Sequence, residues 1–252
     1  MIMNSKIDLY AETPILFQYG RPSAEMLAEL KTHSDLTILS ESTALCLNQT
    51  YFKAGHEGCS DLTFTRKAVA VRLKMALNIL QPHFGIIVLD AYRSIQAQRA
   101  LFDHMAFGIK KEHPNWTEAQ VFQETRKYMV NPDEKARFAI PPHNSGGAID
   151  LALQVGGKMI EFGSEFDDPS IISSTHFFER NFDSSFNINP SDWKKYRTNR
   201  RILYHTMAGL GFTNYRAEWW HYDLGDCIWA AEFKLPWIFE SLEPQVNSYS
   251  RV

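Results

Sequence analysis

Cysteine is scarce in this chain, which has three among its 252 residues: Cys46, Cys59 and Cys227. The number is odd, and no two of them stand at the Cys-x-x-Cys spacing that thiolate zinc sites use. A disulfide framework and a zinc site built from thiolates are therefore both excluded. We expect the three cysteines to be reduced and to have a structural role.

Long apolar runs are also missing. No apolar stretch approaches the roughly 20 residues that a helix needs to cross a bilayer. The N-terminal segment shows no apolar region after a basic start, which is the mark of a signal peptide. We therefore expect no membrane partner and a cytoplasmic location, or a periplasmic one if the chain is a processed form.

The charge balance gives no support to nucleic-acid binding. The net charge is −3, and no basic block marks a nucleic-acid footprint. The densest cationic run, residues 194–201, lies inside a helical pattern, and we interpret it as one solvated helix face. We expect no nucleic-acid partner, and the sequence carries no signal for the oligomeric state.

No repeat, low-complexity segment or linker-like cluster of glycine and proline divides the chain. Its composition, 44% hydrophobic and 22% charged, is that of ordinary globular proteins. We therefore predict a single domain over residues 1–252, with about the first 20 and about the last 15 residues peripheral to it.

Hydrophobic periodicity and end signals predict helices and strands along the whole chain. The helices are predicted at 23–31, 61–80, 94–105, 117–130 and 191–212, and the strands at 86–89, 148–155 and 213–226. Ser23, Ser94 and Ser191 are predicted N-caps, and Thr117 with Gln120 has the spacing of a capping box. Because helices and strands are interspersed without strict βαβ alternation, we predict an α+β fold with a central antiparallel or mixed sheet flanked by helices.

Two of the nine histidines have carboxylates at spacings that suit a metal site. His143 and Asp150 lie on either side of Asn-Ser-Gly-Gly, and His221 ends the sequence Glu-Trp-Trp-His that begins at Glu218. Each motif alone is weak, because the first is a good turn sequence and the second fits an aromatic strand with a surface glutamate. Together they offer three ligands, the number that catalytic zinc takes from a protein, and a spare carboxylate as general base.

The spacing of Glu218 and His221 constrains the strand that carries them. Positions i and i+3 of a regular strand face opposite sides of the sheet. If both side chains serve one site, the strand must bulge, twist or end near Trp219 and Trp220.

Arg93 follows a predicted buried strand in the sequence Val-Leu-Asp-Ala-Tyr-Arg-Ser. A side chain at the end of such a strand can emerge into a cleft, where a guanidinium could hold a substrate carboxylate or stabilise an oxyanion. An ion pair with a local acid such as Asp90 accounts for Arg93 equally well, so both interpretations stay open.

Three short sequences in this order, "DAYRS", "HNSGGAID" and "EWWH", resemble the motifs of a known enzyme family. The family is that of the zinc D-alanyl-D-alanine dipeptidases of the vancomycin-resistance type, in the M15 group of zinc peptidases. It has an arginine in a D-x-Y-R stretch, an S-x-H-x-x-G-x-A-x-D motif and E-x-x-H near the C-terminus. A further family stretch, G-T-x-F-D, has its counterpart in "FGSEFDD", residues 162–168, and the resemblance covers residues 45–235.

The resemblance implies a role for each matching residue. The implied ligands of one zinc ion per chain are His143, Asp150 and His221. Glu218 would be the general base and later the acid, and Arg93 would stabilise the tetrahedral oxyanion. Asp167 would lie near the free amino group of a small dipeptide substrate, since a buried ammonium without a partner is strongly unfavourable. The implied fold is a compact α+β domain, and the implied activity is hydrolysis of D-Ala-D-Ala or a related small D-amino-acid dipeptide.

Two prolines depart from the family pattern. The family's serine two residues before the zinc histidine is Pro141 here, and Pro142 follows it, so this place has neither a backbone N–H nor a hydroxyl. In the family, serines here help to hold the substrate, so we expect this part of the pocket to be built differently. Gly147, next to the family's glycine at Gly146, is expected to add freedom to the loop.

Two alternatives remain at this point. Another M15 activity, a D,D-carboxypeptidase or a peptidoglycan endopeptidase, would use the same ligands with an open amine end of the pocket. A metal-binding module without catalysis is less favoured, because the chain retains both the base and the arginine. A carboxylate at Asp167 close to the metal would support recognition of a free amine.

Overall fold

The computed structural model describes residues 6–133 and 140–249. The helices in this part of the chain are α1 (Lys6–Glu12), α2 (Ala24–Thr32), α3 (Thr50–Lys53), α4 (Lys67–Leu80), α5 (Ile95–Glu112), α6 (Glu118–Tyr128), α7 (Pro190–Ala208), α8 (Cys227–Phe233) and α9 (Glu243–Tyr249). The strands are β1 (Leu36–Ile38), β2 (Leu45–Leu47), β3 (Phe64–Arg66), β4 (Gly85–Asp90), β5 (Ile149–Val155), β6 (Lys158–Met159), β7 (Thr213–Asn214) and β8 (His221–Asp223). Short 3-10 helices lie at Pro142–Ser145, Ile171–Ser173, Phe177–Glu179 and Ser184–Phe186.

The main sheet is mixed. Its strands lie in the order β2-β4-β5-β8-β7, with β6 paired to the end of β5, and β1 pairs with β3 in a separate antiparallel ribbon. β2 and β4 are parallel, whereas the other pairs of the main sheet are antiparallel. Residues 86–89 and 149–153 at its centre are all buried, and α4 and α7 pack against these strands. The predicted α+β class, with helices flanking a mixed sheet, is confirmed.

Several local predictions are confirmed as well. The hydroxyls of Ser23 and Ser94 cap α2 and α5 by accepting a backbone N–H of the first turn. Thr117 and Gln120 form the predicted capping box of α6. These signals act within one helical turn, so the local sequence is enough to predict them.

The predicted helix over 61–80 is wrong in its first residues. Phe64–Arg66 form β3, and α4 begins at Lys67. The apolar residues of a short strand and of the helix that follows it run together in one pattern. The strand forms because it pairs with β1, and local periodicity cannot reveal a partner elsewhere in the chain.

The predictions for 191–212 and 213–226 need correction too. α7 begins at Pro190, and Asn189 rather than Ser191 is its N-cap, because Oδ1 of Asn189 accepts the backbone N–H of Asp192 at 2.8 Å. Proline suits the first helical position, where its missing N–H has no partner to lose. The predicted strand over 213–226 is two short strands, β7 and β8, joined by a turn.

The interpretation of residues 194–201 as one solvated face is wrong for Arg200. Lys194 and Lys195 are exposed, whereas Arg200 is only 1% exposed. Its guanidinium donates to the carbonyl oxygens of Phe162 and Ser174, at 2.8 and 2.6 Å. Arg200 therefore links the two ends of the segment 162–174, which contains the family stretch at residues 162–168.

Cys46, Cys59 and Cys227 are free thiols and half-buried, in agreement with the sequence-based expectation. Among the described residues, no helix is both long enough and apolar enough to cross a membrane.

Candidate active site

The sheet register brings the predicted metal ligands together. Asp150 on β5 lies directly opposite His221 on β8 in an antiparallel pair. His143 lies in the 3-10 helix Pro142–Ser145, just before β5. All three side chains are buried. Residues far apart in the sequence thus meet because two central strands pair in this register.

The facing atoms are close enough to share one ion. Nδ1 of His221 lies 2.9 Å from Oδ1 of Asp150 and 3.2 Å from Nε2 of His143. Nε2 of His143 lies 3.5 Å from Oδ2 of Asp150, and one atom from each residue lies within 4.8 Å of the others. Two ligands bound tetrahedrally at about 2.1 Å from zinc would be separated by roughly 3.4 Å. The three residues therefore fit a tetrahedral ion with nitrogen and oxygen ligands.

Each imidazole is oriented by a hydrogen bond from its other nitrogen. Nδ1 of His143 lies 2.6 Å from the carbonyl oxygen of Ala91, and Nε2 of His221 lies 2.9 Å from Oδ1 of Asp223. Because both partners are acceptors, we assign the protons to these two nitrogens. The lone pairs of His143 Nε2 and His221 Nδ1 then face the site, as is typical of histidines that bind metals.

The charges around these residues favour a cation. Burial alone would lower the pKa of His221, but Asp223 and Asp150 raise it well above its usual value. Burial alone would raise the pKa of Asp150, but His143 and His221 lower it. Both pKa shifts arise because the buried carboxylates stabilise a positive charge beside them. A metal ion bound at this place would supply that positive charge.

Glu218 lies in the turn before β8, so it can share a site with His221. β8 begins at His221, as the spacing required, and the side-chain amide of Asn214 donates to the carbonyl oxygens of Glu218 and His221, at 3.0 and 2.9 Å. Oε2 of Glu218 is then 3.9 Å from Nδ1 of His221, the nitrogen that faces the site. The carboxylate of Glu218 therefore lies next to the three predicted metal ligands.

The environment of Glu218 suits proton transfer. Burial raises its pKa to about 8, His221 opposes the rise, and Asp150 and Asp167 add to it. Its side chain keeps 27% of its exposure, so the carboxylate is accessible from the pocket. A cation at the three ligands would bring this pKa down. A carboxylate with a pKa near the working pH can both take and return a proton.

Arg93 is held by an ion pair and also faces the pocket. Its Nε and Nη2 donate to Oδ2 of Asp90, at 3.1 and 2.7 Å, and its Nη1 donates to Oε1 of Gln98 at 3.0 Å. Its guanidinium lies 4.9 Å above the ring of Tyr51. Burial alone would lower the pKa of Arg93, but Asp90 raises it, so the group stays charged. The two interpretations of Arg93 are compatible, because it lines the pocket while paired with Asp90.

Asp167 lies on the pocket wall and is held by Tyr51. The Tyr51 hydroxyl donates to Oδ2 of Asp167 at 2.7 Å, and the backbone of Asp167 has a φ of 64°, in the left-handed region. The residue as a whole is exposed, yet desolvation of its carboxylate raises its pKa to about 6, against the lowering effect of the Tyr51 hydrogen bond. Because Asp167 lines the pocket, its carboxylate can pair with a positively charged group that enters there.

One pocket, with a volume of about 110 Å³, contains all six predicted residues. They are Arg93, His143, Asp150, Asp167, Glu218 and His221. Its wall is completed by Tyr51, Gln98, Pro142, Tyr215, Trp220, Ile228 and the segment 126–130 at the end of α6. Arg126 and Lys127 of that segment bring positive charge to a pocket that is otherwise rich in carboxylates.

The two prolines form part of a rigid turn. Both are buried, and Pro142 lines the pocket. The carbonyl oxygen of Pro142 accepts the Ser145 hydroxyl at 2.6 Å, and the oxygen of that hydroxyl accepts the N–H of Gly147 at 2.9 Å. The hydroxyl of Ser145, the serine of the motif nearest to the prolines, therefore makes its hydrogen bonds within the turn.

Gly147 provides close packing, and the expectation that it adds freedom is wrong. A Cβ at Gly147 would lie 2.3 Å from the carbonyl oxygen of Leu224 and 2.9 Å from the ring of Phe239. The carbonyl oxygen of Gly147 also accepts the backbone N–H of Leu224. The glycine lets the chain after β8 approach the start of β5.

The sequence did not predict Tyr51, Gln98 or Asp223 as residues of the site. Tyr51 contacts Asp167, 116 positions away, and Gln98 contacts both the nearby Arg93 and the more distant Val130, so neither residue type is marked by a sequence motif. Asp223 could have been found, since positions i and i+2 of a strand share a face, and it stands two residues after His221.

Comparisons with known proteins agree with the site. A family profile described as "D-ala-D-ala dipeptidase", of the peptidase M15 group, matches residues 53–235. A D-alanyl-D-alanine dipeptidase of a Synechocystis species is 26% identical over 169 residues, which are 64% of this chain and 67% of that protein. A D-alanyl-D-alanine dipeptidase of Enterococcus faecalis is 29% identical over 168 residues, 64% of this chain and 72% of the relative. One of Enterococcus faecium is 29% identical over 145 residues, 57% of this chain and 63% of the relative. Since the profile spans well over half of the sequence and includes all six predicted site residues, the chain belongs to the peptidase M15 family of D-Ala-D-Ala dipeptidases.

Proposed function

We propose that this protein is a zinc-dependent dipeptidase that hydrolyses D-Ala-D-Ala or a related small dipeptide of D-amino acids. The observation that carries the proposal is the convergence of His143 Nε2, His221 Nδ1 and the Asp150 carboxylate, with the other nitrogen of each imidazole beside an acceptor oxygen. Membership in the family supports peptide hydrolysis, and the names of the relatives support the substrate.

His143, Asp150 and His221 would hold the zinc ion. When bound, zinc polarises a carbonyl oxygen and lowers the pKa of a water to about 7. Three ligands from the protein are the number found in catalytic zinc sites, whereas structural sites use four. The absence of thiolates from the ligand set also favours a catalytic ion.

Glu218 moves the proton in this mechanism. Its carboxylate takes a proton from the attacking water and then gives it to the amine of the leaving amino acid. The hydrogen bond from Asn214 holds the backbone of Glu218 in place, and its carboxylate lies 3.9 Å from Nδ1 of His221, beside the residues that would hold the ion.

Arg93 stabilises the negative charge that develops on the carbonyl oxygen of the scissile bond. Its guanidinium is fixed in the pocket before the reaction, and such preorganised donors gain strength where water is excluded. Asp90 binds one edge of the Arg93 guanidinium, and N–H groups on its other side can donate to the substrate oxygen.

Asp167 recognises the ammonium group of the dipeptide. An N-acylated peptide has no positive charge at this place, so it loses the ion pair and leaves a carboxylate without its partner. This contact favours a dipeptidase over a D,D-carboxypeptidase or an endopeptidase, whose substrates carry an acyl group there.

The experiment is a hydrolysis assay of the zinc-loaded protein with D-Ala-D-Ala, L-Ala-L-Ala and N-acetyl-D-Ala-D-Ala. We expect hydrolysis of the first substrate only. Glu218→Gln should keep its zinc and lose about 10²–10⁴-fold in kcat, the range that general-base catalysis contributes. His143→Ala should lose the metal itself, which elemental analysis measures.

The outcomes separate the candidate functions. Full activity of Glu218→Gln would contradict the proposed base. Hydrolysis of the N-acetylated substrate at the rate of the free dipeptide would contradict the dipeptidase and support a carboxypeptidase. If the zinc-loaded wild-type protein hydrolyses none of the three substrates, the remaining candidate function is that of a metal-binding module without catalysis.

A further inference from the structure

Gln98 connects two sides of the pocket from a buried position in the first turn of α5. It is 3% exposed. Its Oε1 accepts from Nη1 of Arg93 at 3.0 Å, and its Nε2 donates to the carbonyl oxygen of Val130 at 2.7 Å. One amide group therefore contacts both the arginine and the segment 126–130 at the end of α6.

The two partners fix the orientation of this amide. Arg93 has only donors, and the Val130 carbonyl has only an acceptor. The reverse orientation would set N–H groups against the guanidinium and the amide oxygen against the carbonyl oxygen. A carboxylate could make only the hydrogen bond to Arg93, and an apolar side chain could make neither hydrogen bond.

The hydrogen bonds of Arg93 show why a second support is needed. Its Nε and Nη2 both donate to one oxygen, Oδ2 of Asp90, so the ion pair holds the guanidinium at a single point. The ring of Tyr51 restricts the plane of the group from one face. Rotation within that plane about Oδ2 of Asp90 is opposed by the hydrogen bond from Nη1 to Gln98. Of the five N–H groups of the guanidinium, these bonds leave one on each terminal nitrogen for a substrate.

We propose that Gln98 is a positioning residue that sets the direction of the Arg93 donors and ties them to the pocket wall at Val130. The inference rests on the proposed function in one respect, since it takes Arg93 as the group that stabilises the oxyanion. It adds a residue of the pocket wall whose effect is exerted through Arg93, and it connects the end of α6 to the oxyanion site.

The test is a double-mutant cycle with Gln98→Met and Arg93→Lys in the zinc-loaded protein. Methionine keeps the length of the side chain and removes both hydrogen bonds. We expect Gln98→Met to retain one zinc per chain and to lose about 10–100-fold in kcat, with KM for D-Ala-D-Ala changed less than about threefold, because the lost orientation matters most in the transition state. In the Arg93→Lys background the same change should cost less than about twofold, since residues that act as a unit are not additive.

Gln96→Met is the matched control. Gln96 is the same residue type on the same helix, but it is exposed and its amide donates to Glu57. Its substitution should leave kcat within about twofold of the wild type. An unchanged kcat in Gln98→Met, or a full multiplicative loss in the double variant, would overturn the proposal.

A binding measurement keeps this test separate from the proposed function. A phosphinate analogue of the dipeptide presents a tetrahedral anion, and its affinity can be measured by calorimetry without turnover. Gln98→Met should weaken its binding by the same factor as it lowers kcat/KM. If the wild type hydrolyses no dipeptide, the proposed function fails, and the affinity for the analogue still decides on Gln98: equal affinity in wild type and Gln98→Met would overturn its role.

Discussion

At the scale of single residues, the chemistry depends on which nitrogen of each histidine faces the site. Ala91 and Asp223 each accept a hydrogen bond from one imidazole, and these bonds select opposite nitrogens on His143 and His221. Asp223 is fully buried, and neither its Oδ2 nor that of Asp226 has a hydrogen-bond partner within residues 6–133 and 140–249. Burial and the neighbouring Asp223 raise the pKa of Asp226 well above its usual value, so a second carboxylate charge beside Asp223 is disfavoured.

Asp167 gives a prediction about pH. Its carboxylate must be charged to pair with the substrate ammonium, and desolvation raises its pKa to about 6. As the pH falls through 6, the carboxylate takes a proton and the ion pair is lost, so kcat/KM should fall. The substrate's amino group, with a pKa of about 8, stays charged over this range. We expect Asp167→Asn to have a lower kcat/KM above this pH and to lose the pH dependence that Asp167 causes.

The measurement is the ratio of kcat/KM between wild type and Asp167→Asn from about pH 5 to about pH 8, since kcat/KM reports the groups of the free enzyme. Titrating groups that do not interact with Asp167 act equally on both proteins and cancel in the ratio. Glu218 is the exception, because Asp167 contributes to its raised pKa, and Asp167→Asn should lower that pKa. The ratio should approach one as the pH falls through 6. A constant ratio across this range would contradict the pairing of Asp167 with the ammonium.

At the scale of the elements, the register of β5 with β8 decides whether the site exists. Asp150 and His221 are directly opposed, and a slip of one residue would turn one of them to the other face of the sheet. Gly147 restrains this register, because its lack of a Cβ lets the carbonyl oxygen of Leu224 approach the start of β5. The turn before β5 therefore has a structural role, because it helps to keep Asp150 opposite His221.

The start of α7 gives a prediction about stability. Asn189→Ala removes the side-chain acceptor for the N–H of Asp192 and should lower the free energy of unfolding by about 1 kcal/mol. Ser191→Ala is the matched control. Ser191 is exposed, and its hydroxyl donates to Oδ1 of Asn189 at 2.6 Å but accepts no backbone N–H of the helix, so its effect should stay within about 0.5 kcal/mol. Urea unfolding of both variants at equal zinc content measures this. A larger loss in Ser191→Ala than in Asn189→Ala would contradict the assignment of the cap.

The elements also show how far the sequence alone can lead. Caps such as Thr117 and the central strands were predictable, because their signals lie within a few residues. The proximity of His143, Asp150, Glu218 and His221 was predictable because their motifs are short and stand in the order of a known family. The start of α4 was not, because β3 exists only through its pairing with β1. Tyr51 was not, because its contact with Asp167 spans 116 positions of the chain.

At the scale of the whole molecule, the fold concentrates carboxylates in one buried place. Asp150, Asp223 and Glu218 lie around two histidines, and Asp167 faces the same pocket. Buried charges of one sign are unfavourable without compensation, and Arg93 is already paired with Asp90. The zinc ion that we propose would neutralise this charge, activate the water and complete the pocket, so the proposed function depends most on that ion.

The most direct test of this claim is a zinc titration of chelator-treated protein, with release of D-alanine from D-Ala-D-Ala as the readout. We predict no hydrolysis without metal, a linear rise with added zinc and saturation at one zinc per chain, and no response in His143→Ala. Hydrolysis that persists at full rate in the chelated protein, or a protein that binds one zinc through these ligands and releases no D-alanine, would contradict this claim.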